Sequence, residues 1–510
     1  MKKTASILLS VALLAPALFT FGGCAPNKEI TLRVYNWEEY IDDGGEGGYD
    51  YDFFGKNSDT RPILDKFEEW YETEYGKSIR VEYSTFGTNE DLYNQLKLGD
   101  KYDLVCPSEY MIMKLAAEGM IQPLNFDLDD KHNDYRENVS PFIQQTFDDG
   151  TMKVLGQEEP ASWSKYAAGY MWGVTGLVYN PELVDESDLL NDGWDIMRNP
   201  NYKNKLTTKD NVRDSYFVGL AIAYQEELRD LDKNADDYND KVTAIMNRVD
   251  EKSVEEVTKI LKEVKANIFG FETDTGKADM VTGKISINFA WSGDAVYAMD
   301  EAETPGDDGK EPLYLNFYVP EECANLYFDG WVMPKDDKRD KDTEKAAIAF
   351  INFMSQPENA MRNSYYIGYT SVIAGAEMEM FDYACDLYSS DDEDDMVEYD
   401  ISYFFGAEKG EYVLYTYEDQ LSRQLYAQFP TVETVSRCAV MGYYGDKEEA
   451  INELWTQVRG EQLSGWAIAV IVVVAAVIIL GVLYKFLGPK IEFRSKTKKG
   501  YKLVKQEKVK

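Results

Sequence analysis

Two α/β lobes facing one another across a cleft are what this sequence predicts, and three observations carry the prediction. Apolar strand-like runs alternate with helical stretches from Ile30 onward. The alternation restarts near Tyr170. At the ends of apolar runs an aromatic stands beside an acid, as in Trp37-Glu38-Glu39-Tyr40 and Trp291-Ser292-Gly293-Asp294. A β-α-β alternation implies a parallel sheet, and such sheets bind ligands at the carboxyl ends of their strands. With 510 residues, 44% of them apolar, the chain can fill two cores.

In the first lobe, residues 30–35 form a strand that ends in the aromatic and acidic run. Residues 42–59 are a Gly-, Asp- and Tyr-rich loop whose acids miss the spacing of a calcium loop. Ile63, Leu64, Phe67, Trp70 and Tyr71 recur at helical spacing, and 79–83 alternates as a strand. Thr88 opens a helix through Leu96, 103–106 is a third strand, and 110–118 is a helix stopped by Gly119. Three loops then meet at one sheet edge: 36–40, 85–89 and 107–110.

In the second lobe, strands are expected at 172–179, 205–208, 285–290, 313–318 and 326–333. Helices are expected at 214–224, 254–268, 343–354, 357–366 and 446–455, with one more following Trp291. The acidic run Asp391-Asp392-Glu393-Asp394-Asp395 reads as a solvated loop in an irregular region.

Both ends of the chain read as membrane attachments. Met1-Lys2-Lys3, an apolar run to Phe21 and then Gly22-Gly23 have the layout of an export signal, and the cysteine directly after it resembles a bacterial lipoprotein signal, in which the new N-terminal Cys24 carries the lipid. Phe21 stands where an aliphatic residue is usual. Residues 465–484 lack any charge and as a helix span about 30 Å, the thickness of a bilayer core. Trp466 and Tyr484 mark its interfaces. The tail 485–510 carries a net +8, which places it in the cytoplasm, and everything from Cys24 to Gly465 outside. Of the overall charge of −39, the portion outside these basic ends carries −49. Such acidity argues against nucleic acid or anionic lipid as a target and suits a cationic ligand, although solubility alone also favours it.

Apart from Cys24, four cysteines remain: Cys106, Cys323, Cys385 and Cys438. They permit three disulfide connectivities or none, and Cys106, inside an apolar strand, reads as a buried thiol. With one histidine, His132, and no Cys/His spacing, neither a metal nor a cofactor is expected. The same poverty makes a catalytic triad implausible.

A carboxylate beside aromatic faces is a combination that holds an organic ammonium through charge-assisted hydrogen bonds and cation–π attraction. Asp329, flanked by Tyr327, Phe328, Trp331 and Val332, reads as a buried acid needing a partner. Either Arg213, a backbone amide or a bound ammonium would serve. Asp210 and Asp214 are candidates for the same role, or for capping the next helix and pairing with Arg213. Ser108 is either a ligand contact or a helix cap. Trp172 and Trp331 read as core.

Several pieces together resemble the polyamine (spermidine/putrescine) substrate-binding proteins of ABC transporters. They are Tyr35-Asn36-Trp37-x-Glu39-Tyr40, Tyr102-Asp103-Leu104-Val105-x-Pro107-Ser108-x-Tyr110 and Glu118-Gly119-Met120-Ile121. Asp210-x-x-Arg213-Asp214, Trp291-x-Gly293 and Ile367-Gly368-Tyr369 complete the set. The likeness runs over most of 32–454, with insertions at 42–59 and around 389–410. It implies a two-lobed α/β periplasmic-binding-protein-like fold of type II, a polyamine ligand, ABC permease subunits as partners and a monomer. Lobe one would comprise about 30–165 and 330–375, and lobe two about 166–329 and 376–463. The implied ligand residues are Trp37, Glu39, Tyr40, Ser108, Tyr110, Asp210, Asp214, Trp291, Tyr327, Asp329 and Tyr369.

Three departures from the family stand out. Asp214 is a shorter acid one residue further from Asp210 than the family's spacing, and Tyr327 stands where Trp is frequent. Arg437 falls near the place of an amide residue, where a cation would oppose the ligand. Rival readings are a choline-type ligand, a carboxylate glycoside hydrolase, for which no acid pair is identifiable by motif, and a surface adhesin.

Overall fold

Ile30, Leu32 and Val34 point alternately into the core of strand β1 (Ile30–Trp37). The computed structural model of the chain describes residues 29–44, 60–126, 130–304, 311–390, 396–460, 494–497 and 500–503. The expected lipid-bearing Cys24, the membrane helix 465–484 and the acidic run 391–395 lie outside the described residues, as does most of the loop 42–59. Among the described residues no helix is long and apolar enough to cross a membrane. The chain divides into two units, one ending at Trp455 and the other beginning at Thr456. In the second, Arg494–Thr497 pairs antiparallel with Gly500–Leu503.

The first unit is built on one 11-stranded sheet. Its strands, in chain order, are β1, β2 (Ile79–Phe86), β3 (Leu104–Val105), β4 (Ile121–Gln122), β5 (Thr151–Met152) and β6 (Ala161–Ser162), of which β5 and β6 form a separate pair. There follow β7 (Ala167–Tyr179), β8 (Leu206–Lys209), β9 (Gly270–Glu272), β10 (Ile287–Trp291), β11 (Asn316–Tyr318), β12 (Leu326–Pro334) and β13 (Thr370–Ser371). The path across the sheet is β2-β1-β3-β12-β7-β10-β8-β9. β1 runs parallel to β2 and β3 at one end, and β8 runs parallel to β9 and β10 at the other. Between them β7 and β12 cross antiparallel. Two α/β lobes joined by two long strands follow, the two-lobed periplasmic-binding-protein-like architecture.

The helices between the strands form for legible reasons. Ile63–Tyr75 buries Ile63, Phe67 and Tyr71 and ends at Gly76 with φ 67°, a left-handed conformation that glycine adopts without penalty. Asn89–Leu98 is capped by the Thr88 side chain, which accepts from the Asp91 amide. Glu109–Ala117 follows β3 and closes the predicted β-α-β-α-β-α order.

The structure differs from expectation in three places. β1 continues to Trp37 because β2 matches it residue for residue as far as Phe86. β7 begins at Ala167, five positions before the apolar run, because its start, Ala167 to Met171, pairs with β12. The region around residues 389–410, expected to be irregular, holds strand β14 (Met396–Asp400), paired with β15 (Val413–Tyr417). Only Tyr399 of β14 is buried, so the strand has little apolar alternation to read. Beyond it, Ser402–Phe405 packs on the helix Pro141–Asp149, with Phe142 against Tyr403 and Phe404 stacked on Trp172.

Trp172 and Trp331 are fully buried, and the four described cysteines are free thiols, with Cys106 buried. One buried ion pair ties the loop after β1 to the helix Pro357–Ile367. Arg362 Nη2 and Nε meet Asp42 Oδ2 at 2.9 and 3.1 Å, and Asn363 Oδ1 accepts from the Asp42 amide at 2.9 Å. Removing one partner of such a pair costs more than the pair itself contributes, so the loop is held in place.

Candidate functional site

Strand ends from both lobes open into one cavity of about 670 Å³. Every ligand residue implied by the sequence lines it. The loops after β1, β2 and β3 supply Trp37 to Tyr40, Thr85 to Asn89 and Ser108 to Tyr110. Asp210 comes from the end of β8, Asp214 from the first turn of the helix Val212–Ala223, Trp291 from the end of β10, Tyr327 and Asp329 from β12, and Tyr369 from the turn before β13.

Asp329 sits where the register between β12 and β7 shifts by a bulge, and it is 6% exposed. The Tyr40 hydroxyl donates to its Oδ2 at 2.8 Å and the Ser108 hydroxyl to its Oδ1 at 2.6 Å. Neither a backbone amide nor Arg213, the two protein partners expected for it, is the partner here. Arg213 is instead stacked between Tyr110 and Tyr444, 4.4 and 3.9 Å from the ring centroids, and donates to the Gly442 carbonyl. Among the described residues no cation lies within ion-pairing distance of Asp329. Burial pushes its carboxyl up to about 6, with the two hydroxyls pulling it back and Asp214 raising it further. Glu109, also buried beside the cavity, is pushed up to about 8 although the Phe328 amide donates to it.

The turn that delivers Tyr40 is strained and over-determined. Glu39 has φ 50°, rare for a residue with a side chain, and Asn36 Nδ2 and the Tyr170 hydroxyl both donate to the Tyr40 carbonyl, at 3.3 and 2.8 Å. The strain sends the Tyr40 side chain inward to Asp329 and the Glu39 side chain outward. Trp37 lies against Phe86 with centroids 4.7 Å apart. Ser108 precedes the helix Glu109–Ala117 yet makes no side-chain cap bond, so its hydroxyl serves Asp329. Asn89 fixes it by donating to Ser108 Oγ and accepting from its amide, both at 3.1 Å. Tyr110 donates to Glu90 at 3.2 Å.

On the facing lobe the cap of the helix Val212–Ala223 is Asn211 and not Asp210 or Asp214. The Asp214 carboxylate, buried and raised by that burial, accepts from Asn211 Nδ2 at 2.5 Å and from the Trp291 side chain. Gly293 makes room for Tyr369, since a Cβ there would stand 2.1 Å from that ring. The Tyr369 hydroxyl in turn donates to Asp294 at 3.0 Å. Gly173 does the same for Tyr327, whose hydroxyl lies 2.5 Å from where a Cβ would be. Arg437 does not reach the cavity and donates to the Val319 and Pro320 carbonyls.

Two lysines in the site were not anticipated. Lys209, 1% exposed, lies 4.2 Å over the Trp291 ring, 3.0 Å from Asp294 and 3.3 Å from Glu272. Lys277 lies 3.3 Å from Glu39, 3.5 Å from Asp294 and 3.8 Å from Asp274. Burial works against both charges, but the carboxylates outweigh it and hold both ammonium groups above the usual lysine range. Burial likewise pushes Asp294 up, and the two lysines bring it below the usual carboxylate range. Lys209 ends β8 and was open to the strand-end argument that found Trp37. Lys277, on the short helix Thr275–Val281, offered no pattern.

The sequence model of the family of bacterial extracellular solute-binding proteins matches residues 63–382, more than half of the chain. The chain belongs to that family. It is a solute-binding protein and not an enzyme, and it works outside the cytoplasm. It is 26% identical over 371 residues to the spermidine/putrescine-binding periplasmic protein of Salmonella typhimurium, covering 72% of this chain and 84% of that one. It is also 26% identical over 379 residues to the putrescine-binding periplasmic protein PotF of Escherichia coli (strain K12), again covering 72% and 84%.

Among solved structures, the spermidine/putrescine ABC transporter substrate-binding protein PotD of Streptococcus pneumoniae aligns at TM-score 0.50 and 25% identity, over 84% of this chain and 100% of that one. The Tp0655 (TpPotD) lipoprotein of Treponema pallidum, at TM-score 0.53 and 17% identity over 84% and 99%, shares the fold.

A solute-binding protein that keeps a raised carboxyl in its cleft has a signed pH dependence. The unfolded Asp329 ionises near pH 4 and the folded one near 6, so in that window the folded state holds a proton the unfolded state has lost. Stability contributed by this group is therefore full below about pH 4 and is lost as pH rises through about 6. Asp329→Asn is expected to gain stability over the parent in urea unfolding at pH 7.5 more than at pH 4.5. An equal loss at both pH values would make Asp329 a structural acid.

Proposed function

We propose that this chain captures a polyamine of the putrescine/spermidine class in the interlobe cleft and presents it to the permease subunits of an ABC importer. The observation that carries this reading is Asp329, a buried carboxylate met among the described residues only by hydroxyls, in a cavity also lined by the rings of Tyr40, Tyr327 and Tyr369. A primary ammonium supplies the missing charge and donates to the carboxylate, while its methylenes pack on the rings. Relatives named for spermidine and putrescine binding support the same class. Trp37, Tyr110, Asp210, Asp214 and Trp291 complete the ligand contacts in this reading. The lobes, about 30–165 with 330–375 and about 166–329 with 376–463, close over the ligand as a monomer hinged on β7 and β12.

The test of ligand class is a melting panel on the domain 25–459. Putrescine or spermidine at a hundred times its dissociation constant is expected to stabilise the domain by about 2.7 kcal/mol. Choline, neutral sugars and amino acids are expected to leave it unchanged. A shift with a sugar or an amino acid and none with any amine would overturn the assignment.

Attachment belongs to the same proposal: Cys24 carries a lipid, 465–484 spans the membrane and 485–510 lies in the cytoplasm. Two tethers keep the domain beside its permease at high effective concentration. Cys24→Ser with truncation after Arg459 is expected to move the protein into the soluble fraction, while either change alone leaves it on the membrane. A doubly altered protein that stayed on the membrane would contradict this topology.

A further inference from the structure

One end of the cleft already contains a cation. Lys277 comes from the second lobe, and its ammonium is met by Glu39 of the first lobe at 3.3 Å and by Asp294 and Asp274 of its own lobe at 3.5 and 3.8 Å. The Tyr297 ring lies 5.2 Å away. Three carboxylates and an aromatic face are what the end of an aliphatic polyamine would require, and here the chain supplies the ammonium itself. The side chain is 14% exposed, against 49% for Lys284 on the same segment, whose ammonium pairs with Asp279 at the surface. Lys209 stands behind it on Asp294, so that acid already has two cationic neighbours. At the other end, no cation among the described residues pairs with Asp329.

We propose that Lys277 is a specificity-determining residue, whose ammonium fills the cleft subsite formed by Glu39, Asp274 and Asp294 and so restricts the ligand to short diamines, excluding triamines. The inference rests on the amine-binding reading above and narrows it. A diamine places its ammonium groups on Asp329 and on the Asp210 and Asp214 side without reaching Lys277. A longer polyamine brings another ammonium towards Lys277, where like charges repel, and must either displace that lysine or leave its own end unpaired. Glu39, drawn outward by its φ of 50°, is in this arrangement a partner for the protein's own ammonium.

The experiment is calorimetric titration of putrescine and spermidine into the parent, Lys277→Met, Lys277→Arg and the surface control Lys284→Met. The parent is expected to bind putrescine at least tenfold more tightly than spermidine. Lys277→Met is expected to bind spermidine at least tenfold more tightly than the parent does, with putrescine changed by less than threefold. Lys277→Arg and Lys284→Met should keep the parent's ratio, which separates the subsite from a general increase in negative charge. Adding Glu39→Gln to Lys277→Met should remove most of the spermidine gain, and melting curves establish that each variant is folded.

Equal gains for both amines in Lys277→Met, or a gain in Lys284→Met of the same size, would overturn the inference while leaving amine binding intact. A ratio that Lys277→Met leaves unchanged would do the same and make Lys277 an interlobe tie only. If neither the parent nor any variant bound an amine, the ligand class and this inference would fall together.

Discussion

The site depends on a carboxylate taken out of water without a counter-ion. Asp329 is placed by the bulge between β12 and β7, at the point where the two crossing strands pass between the lobes, and its only hydrogen-bond partners among the described residues are the hydroxyls of Tyr40 and Ser108. Hydroxyls reduce the cost of burying a charge but do not remove it, and the carboxyl is left with a pKa near 6. A protein that keeps such a group on its most buried strand pair accepts a loss of stability that a ligand's ammonium would reverse. The surrounding strain, including the left-handed Glu39, serves the same end by fixing the Tyr40 hydroxyl.

Charge divides the cleft into two unlike ends. Around Asp294, Lys209 and Lys277 neutralise the acids, and Trp291 already has an ammonium over one face. Around Asp329, Glu109 and Asp214, burial raises every carboxyl, and the charge of Lys209 offsets it only in part at Asp214. Arg213, the one cation of that neighbourhood singled out in the sequence, is held between two tyrosine rings instead. The acidity of the chain as a whole therefore says less about the ligand than the positions of three cations do.

Much of the architecture was legible because periodicity and strand-end geometry are local. Phe67 and Tyr71 announced a helix, Ile30 to Val34 a strand, and the alternation put Trp37 and Ser108 on one sheet edge with Trp291 at a strand end of the facing lobe. What was illegible depends on contacts far apart in sequence. The start of β7, Ala167-Ala168-Gly169, has small residues where larger apolar ones would have marked a strand, and β14 buries almost nothing. Asn211 rather than a neighbouring acid caps its helix because the helix starts at Val212, which leaves Asp210 one residue too early and puts Asp214 in the first turn, its amide donating to Asn211 Oδ1. Asp294 was visible as an acid past a strand end, but Lys277 reaches it and Glu39 from a helix with no amphipathic signature, so the closed end of the cleft could not be read from spacing.

Proton release on binding tests the central claim most directly, namely that Asp329 is the acid whose charge the ligand completes. Putrescine titrated at pH 6 in two buffers of different ionisation enthalpy should release about half a proton per site from the parent, because Asp329 is half protonated when empty and ionised beside an ammonium. Asp329→Asn should bind more weakly and lose that release. Tight binding by the parent with no proton exchange, or the same release from Asp329→Asn, would contradict the account.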